Sequence, residues 1–118
     1  MSLSLHVLLP AGTGLVLILI ALPLLFRWVP PNSIYGLRVP ATHADEWVWY
    51  ESNAKSARDI CLLGVVLIVL ALALDRIPVI PRTSHIVVSG VATIAGIVIV
   101  AVVGTRRANR LLKERRGT

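Results

Sequence analysis

Polar and apolar positions along this chain are laid down in blocks instead of being interleaved. Three uncharged runs, Val7 to Phe26, Ile60 to Leu74 and Ile86 to Gly104, are separated by a polar, aromatic stretch near residues 30–60 and a short one near 75–85. A hydrocarbon layer of about 30 Å asks for about 20 helical residues, so the first and third runs can span it as they stand. The middle run has only 15 residues between Asp59 and Asp75. It needs a locally thin bilayer, ends buried against neighbouring helices, or flanking groups that reach outward. A run of that length also suits a core helix of a soluble protein, but a long uncharged run on each side argues against it. The pattern predicts an all-α integral membrane protein, a single domain over 1–118 with spans at about 7–28, 58–76 and 84–106. An interfacial amphipathic segment is expected before the second span, within a loop at 29–57, and a basic tail at 106–118.

Punctuation refines this. Pro10 fits the first turn of the first span, while Pro23 lies inside it and should kink or end the helix. Pro30, Pro31 and Asn32 stop the chain from continuing as helix, Gly36 permits a tight turn, and Pro40 keeps "SIYGLRV" out of a helix. Thr42 is the best N-cap candidate for the next helix, with Asp45 and Glu46 in its first turn. With no breaker until Pro78, that helix should start near residue 43 and run to about 75. Trp49 and Asn53 then share a face, with Ser56 further along it, and Trp47, Tyr50 and Ala54 form the adjacent stripe. Tryptophans and a tyrosine at this point suit a helix lying at the membrane interface, as does Trp28 at the end of the first span.

Composition agrees: 56% of the 118 residues are hydrophobic and 15% charged, against about 25% charged in soluble domains. The first run lacks a preceding Lys or Arg and a small-x-small cleavage site, so it reads as a retained anchor, not a secretion signal. Ten of the twelve Lys and Arg residues lie in the first loop and the C-terminal tail. The positive-inside rule then puts both in the cytoplasm of a bacterial plasma membrane, with the N-terminus and "DRIPVIPR" outside. The net charge of +6 follows from that rule or from attraction to anionic headgroups, and calls for no nucleic acid.

Catalytic signals are missing. His6, His43 and His85 are far apart in sequence, and the lone Cys61 opens a span, so no metal site or internal disulfide is expected. Asp45, Glu46 and Asp59 have no nucleophile or phosphate-cradling glycine loop beside them. The expectation is a non-enzyme without a cofactor. Arg38 offers a planar fork to a carboxylate or phosphate and, with Asn32, Tyr35, Trp49 and Asn53, can converge if the loop folds back. Equally, Arg38 and Asn53 can simply satisfy loop backbone. On the third span Ala92 and Gly96 form a small-xxx-small pair, with Gly104 further along, able to bring another helix close.

The order of loop residues resembles the signature of the SdpI family, also written SdpI/YfhL: Pro-x-Asn-x-x-Tyr-Gly-x-Arg, a later Thr, then Trp and Asn leading into a span. The matching positions are Pro30 or Pro31, Asn32, Tyr35, Gly36, Arg38, Thr42, Trp47 or Trp49, and Asn53. Departures fall at Leu37, at Val39-Pro40 and at Ser56-Ala57. The resemblance implies immunity and signalling, since the family includes a membrane protein that protects its producer from a secreted toxin and captures a transcriptional repressor at the membrane. On that basis the loop 30–57 would recognise a peptide or protein partner. A second reading is a small accessory subunit, with no ligand of its own, that packs against a larger membrane complex such as a transporter or respiratory assembly; on either reading a homo- or hetero-oligomer is expected.

Overall fold

The structure, a computed structural model, describes residues 4–117. It is all-helical in the described residues: α1 (Leu5–Leu25), the short α2 (Pro40–Ala44), α3 (Glu46–Asp75) and α4 (Arg82–Arg115). α1, α3 and α4 are each long and apolar enough to cross a membrane. α3 stands between the other two and packs against both, while α1 and α4 meet each other only slightly.

The first helix starts earlier and ends sooner than the apolar run implied. Because it begins at Leu5, Pro10 falls in the second turn, where it has no N–H to offer the His6 carbonyl. It stops at Leu25 instead of reaching Trp28. Arg27 turns left-handed at φ 60°, its N–H bonds the Leu24 carbonyl at 3.1 Å, and the Trp28 N–H closes on the Pro23 carbonyl at 2.9 Å. This is a Schellman stop with an arginine where glycine is usual. The left-handed backbone of a non-glycine residue costs about 1–2 kcal/mol, and an ion pair from Arg27 to Glu51 at 2.5 Å helps hold it there.

Thr42 does not cap the second spanning helix. Pro40 occupies the first position of its own one-turn helix, as its fixed φ favours, and the chain then extends at Asp45. The Asp45 carboxylate accepts the Trp47 N–H at 2.8 Å and the Val48 N–H at 3.3 Å, so Asp45 is the N-cap of α3. Thr42 sits inside α2. Its hydroxyl accepts the Val39 N–H at 3.0 Å and lies 2.9 Å from both the Leu37 and Val39 carbonyls.

The basic segment is helical as far as Arg115. α4 runs unbroken for 34 residues, about 51 Å at 1.5 Å per residue, because nothing breaks the helix between Gly104 and Gly117. An apolar stripe continues through it: Ala108 and Leu111 are buried against Ala41 and Val48 beyond the spanning bundle.

Glycines set the helix crossings. Gly14 of α1 and Gly64 of α3 face each other so closely that a Cβ on Gly64 would lie 2.5 Å from the Gly14 carbonyl oxygen. The small residues of α4 turn toward α3. Gly96 abuts the Leu63 side chain, and a Cβ on Gly104 would lie 2.7 Å from Ser56 Oγ. Ala92 is half-buried on α4.

Candidate functional site

The loop from 26 to 39 is bound to α3 by two side chains of one helical face, Trp49 and Asn53, both essentially buried. The Trp49 indole donates from Nε1 to the Val29 carbonyl at 2.8 Å. Asn53 uses both ends of its amide: Oδ1 accepts the Leu37 N–H at 2.6 Å, and Nδ2 donates to the Trp49 carbonyl at 3.0 Å. Backbone that has left a helix near the membrane has few other partners, so the bonds to the Val29 carbonyl and the Leu37 N–H replace ones a helix would have supplied.

Asn32 works within the loop. Its Oδ1 accepts the Ile34 and Tyr35 N–H groups at 2.9 and 2.6 Å, and its Nδ2 donates to the Pro30 and Tyr35 carbonyls at 2.9 and 3.1 Å. This is an Asx-type turn with every polar atom of the amide engaged. Gly36 follows at φ 109°.

The expected convergence of five residues is therefore only partial. Arg38 does not join Trp49 and Asn53; it bends back to the Ser33 carbonyl and remains exposed, while its neighbour Leu37 packs inward. Trp47 is exposed on the other face of α3, with the Arg115 guanidinium 5.4 Å from its ring centroid. Arg115 also reaches Asp45 at 3.4 Å, tying the end of α4 to the start of α3. Tyr35 is half-buried, and desolvation pushes its phenol above the ordinary tyrosine value.

Above the tied loop lies a groove of about 310 Å³. Tyr35, Gly36 and Leu37 form its floor, with walls that include Leu17 of α1, Ile60 of α3 and Ile97 of α4. Tyr35, Asn53 and Ser56 are the polar side chains of this lining. Ser56 Oγ is buried with no hydrogen-bond partner. The groove exists because α1 and α4 diverge on either side of α3, a fact of helix packing that no loop motif announces.

The far end of the bundle brings together residues that looked unrelated. His6 Nε2 lies 3.1 Å from Asp75 Oδ1, and the His6 and His85 rings are 4.9 Å apart between centroids. His85 is buried with neither ring nitrogen partnered. Distance in sequence had separated these histidines, whereas the up-down-up path puts the start of α1, the end of α3 and the start of α4 at one level. Among the described residues, no group of three or more His, Cys, Asp and Glu side chains is arranged to hold a metal ion.

The sequence profile of the SdpI/YfhL protein family matches residues 28–105, from the start of the tied loop to the end of the apolar part of α4. The chain belongs to the SdpI/YfhL family. No curated protein and no solved structure matches it. Family membership and three spanning helices make it a multi-pass membrane protein, with Asn32, Tyr35, Gly36, Thr42, Trp49 and Asn53 all within the matched segment.

Proposed function

We propose that this SdpI/YfhL-family protein is a non-enzymatic receptor of the immunity or signalling type, which recognises a peptide or protein partner through the loop 30–57 and the groove above it. The observation that carries this reading is the groove itself. Loop residues 35–37 close an apolar cleft whose lining contains a buried, unpartnered hydroxyl at Ser56. A cleft of this kind suits an apolar peptide side chain accompanied by one hydrogen-bonding group. The exposed Arg38 stands at the same loop and offers its remaining donors to a carboxylate. The loop is expected on the cytoplasmic side of a bacterial plasma membrane, by the distribution of basic residues.

The test is photo-crosslinking in cells, with the reactive side chain placed at Leu17 or Ile97 in the groove and at Val91, an exposed position on α4, as control. A receptor gives a peptide or single-protein adduct from the groove positions only, and Arg38→Lys removes that adduct while the purified protein melts normally. Adducts to a large membrane complex from Val91 as well, unaffected by Arg38→Lys, would instead make the chain an accessory subunit. That outcome would sink the receptor reading.

A further inference from the structure

Beyond the groove, α4 carries a second recess where its apolar surface gives way to the basic end. Val103, Arg106, Arg107 and Arg110 line a space of about 350 Å³. Arg107 is fixed: its Nη2 donates to Asp59 Oδ2 at 3.1 Å, and Asp59 is shared with Arg58 at 3.4 Å. Its other terminal nitrogen, Nη1, is buried without a hydrogen-bond partner. Arg106 and Arg110 are exposed, and among the described residues neither is in an ion pair.

This arrangement is unfavourable without an anion. Arg106 and Arg110 are one helical turn apart, where like charges repel; Asp59 already serves two other arginines, and Glu114, one turn beyond Arg110 on the same helix, is a single carboxylate against the two. Guanidinium groups converging on a recess match the oxygens of a phosphate, which can be bridged by two forks at once. What lies next to the recess identifies the carrier of that phosphate. Ile99, Val102 and Val103 are exposed apolar side chains directly above it, on a helix whose most apolar window is only 6% buried within the chain. A phosphate seated among the three arginines thus has hydrocarbon-facing surface immediately beside it, as acyl chains require and a soluble phosphate does not.

We propose that Arg106, Arg107 and Arg110 form a binding site for the headgroup of one anionic phospholipid whose acyl chains lie along the Ile99–Val103 face of α4. The site is distinct from general attraction of basic residues to a charged membrane. It depends on where the charge is, and Lys113 and Arg116 lie outside it.

The experiment is native mass spectrometry of the detergent-purified full chain, titrated with phosphatidylglycerol, with phosphatidylcholine and with inorganic phosphate. One phosphatidylglycerol should bind per chain, with about tenfold preference over phosphatidylcholine. Arg106→Gln with Arg110→Gln should lower that occupancy about tenfold, whereas Lys113→Gln with Arg116→Gln, which removes the same charge, should leave it within about twofold. Both double variants keep the Arg107–Asp59 pair. If the first variant fails to fold, Arg106→Lys with Arg110→Lys replaces it and should show a partial loss. Equal losses from the two Gln pairs, absence of lipid preference, or displacement of the lipid by millimolar inorganic phosphate would each overturn the proposal.

Discussion

Gly36 and Asn53 occupy each other's space. A Cβ on Gly36 would lie 2.8 Å from Asn53 Oδ1, the oxygen that holds the Leu37 N–H at 2.6 Å. The left-handed turn at Gly36 and the amide of Asn53 are thus one device: the turn presents the next N–H to α3, and it can come close enough only where no side chain intervenes.

Gly36→Val should lower stability by about 2 kcal/mol or more, since positive φ alone costs a side-chain-bearing residue about 1–2 kcal/mol and the clash with Asn53 adds to it. Leu37→Val, at the next position, trims a half-buried side chain and should cost about 1 kcal/mol. Thermal melting of both variants in one detergent makes the comparison. Equal melting temperatures would mean that Gly36 has no special backbone role.

Asn53→Ala leaves the Leu37 N–H without its acceptor beside a buried helix face, an expected loss of about 1–3 kcal/mol. Trp49→Phe keeps most of the ring volume but removes the donor to Val29, and should cost about 1 kcal/mol. Because both side chains hold the same loop, the double variant should lose less than the sum of the two single ones. Strict additivity in chemical denaturation would indicate that the two ties act separately.

Gly64→Ala should be more damaging than alanine at Gly96, Gly12 or Gly90, because its new Cβ meets the Gly14 backbone, which can yield only if α1 and α3 separate. The expected cost is about 1–3 kcal/mol. Gly96→Ala meets the flexible end of Leu63 and should be milder, while Gly12→Ala and Gly90→Ala enter open space and should gain up to about 1 kcal/mol of helix propensity. Unfolding free energies measured across the four variants should follow that order, and a harmless Gly64→Ala would contradict the close crossing.

The orientation is open to direct labelling. In a variant whose native Cys61 is replaced by Ala, an impermeant thiol reagent applied to intact cells should modify a cysteine placed at Ser4 or Val79 and spare one at Ala44 or Gly117. Modification at Ala44 would reverse the topology expected from the basic residues.

Several features of the fold were legible in the chain because they depend on local chemistry. Uncharged runs near 20 residues have one stable solution in hydrocarbon, the helix, which satisfies its own backbone, so three long helices followed directly. Likewise, Pro30, Pro31 and Gly36 impose the break and the turn through their own φ preferences, and the shared face of Trp49 and Asn53 follows from four-residue spacing. Helix ends were less legible. Thr42 and Asp45 can both cap, and what decided between them was Pro40 starting its own turn; the basic segment after Gly104 read as a tail because charge masked the Gly104, Ala108 and Leu111 stripe.

The sequence by itself determined the three long apolar helices, where the chain breaks after the first of them and which residues carry the loop motif, since propensity, hydropathy and backbone restriction act between near neighbours. Only the tertiary structure decided what those residues touch. Arg38 turning to Ser33 instead of α3, His6 meeting Asp75 and His85, Gly14 crossing Gly64, and the groove between α1 and α4 all depend on how helices pack at a distance along the chain. Several arrangements of three apolar helices satisfy the same hydropathy, and close contacts between small residues, together with a few buried polar bonds, select among them.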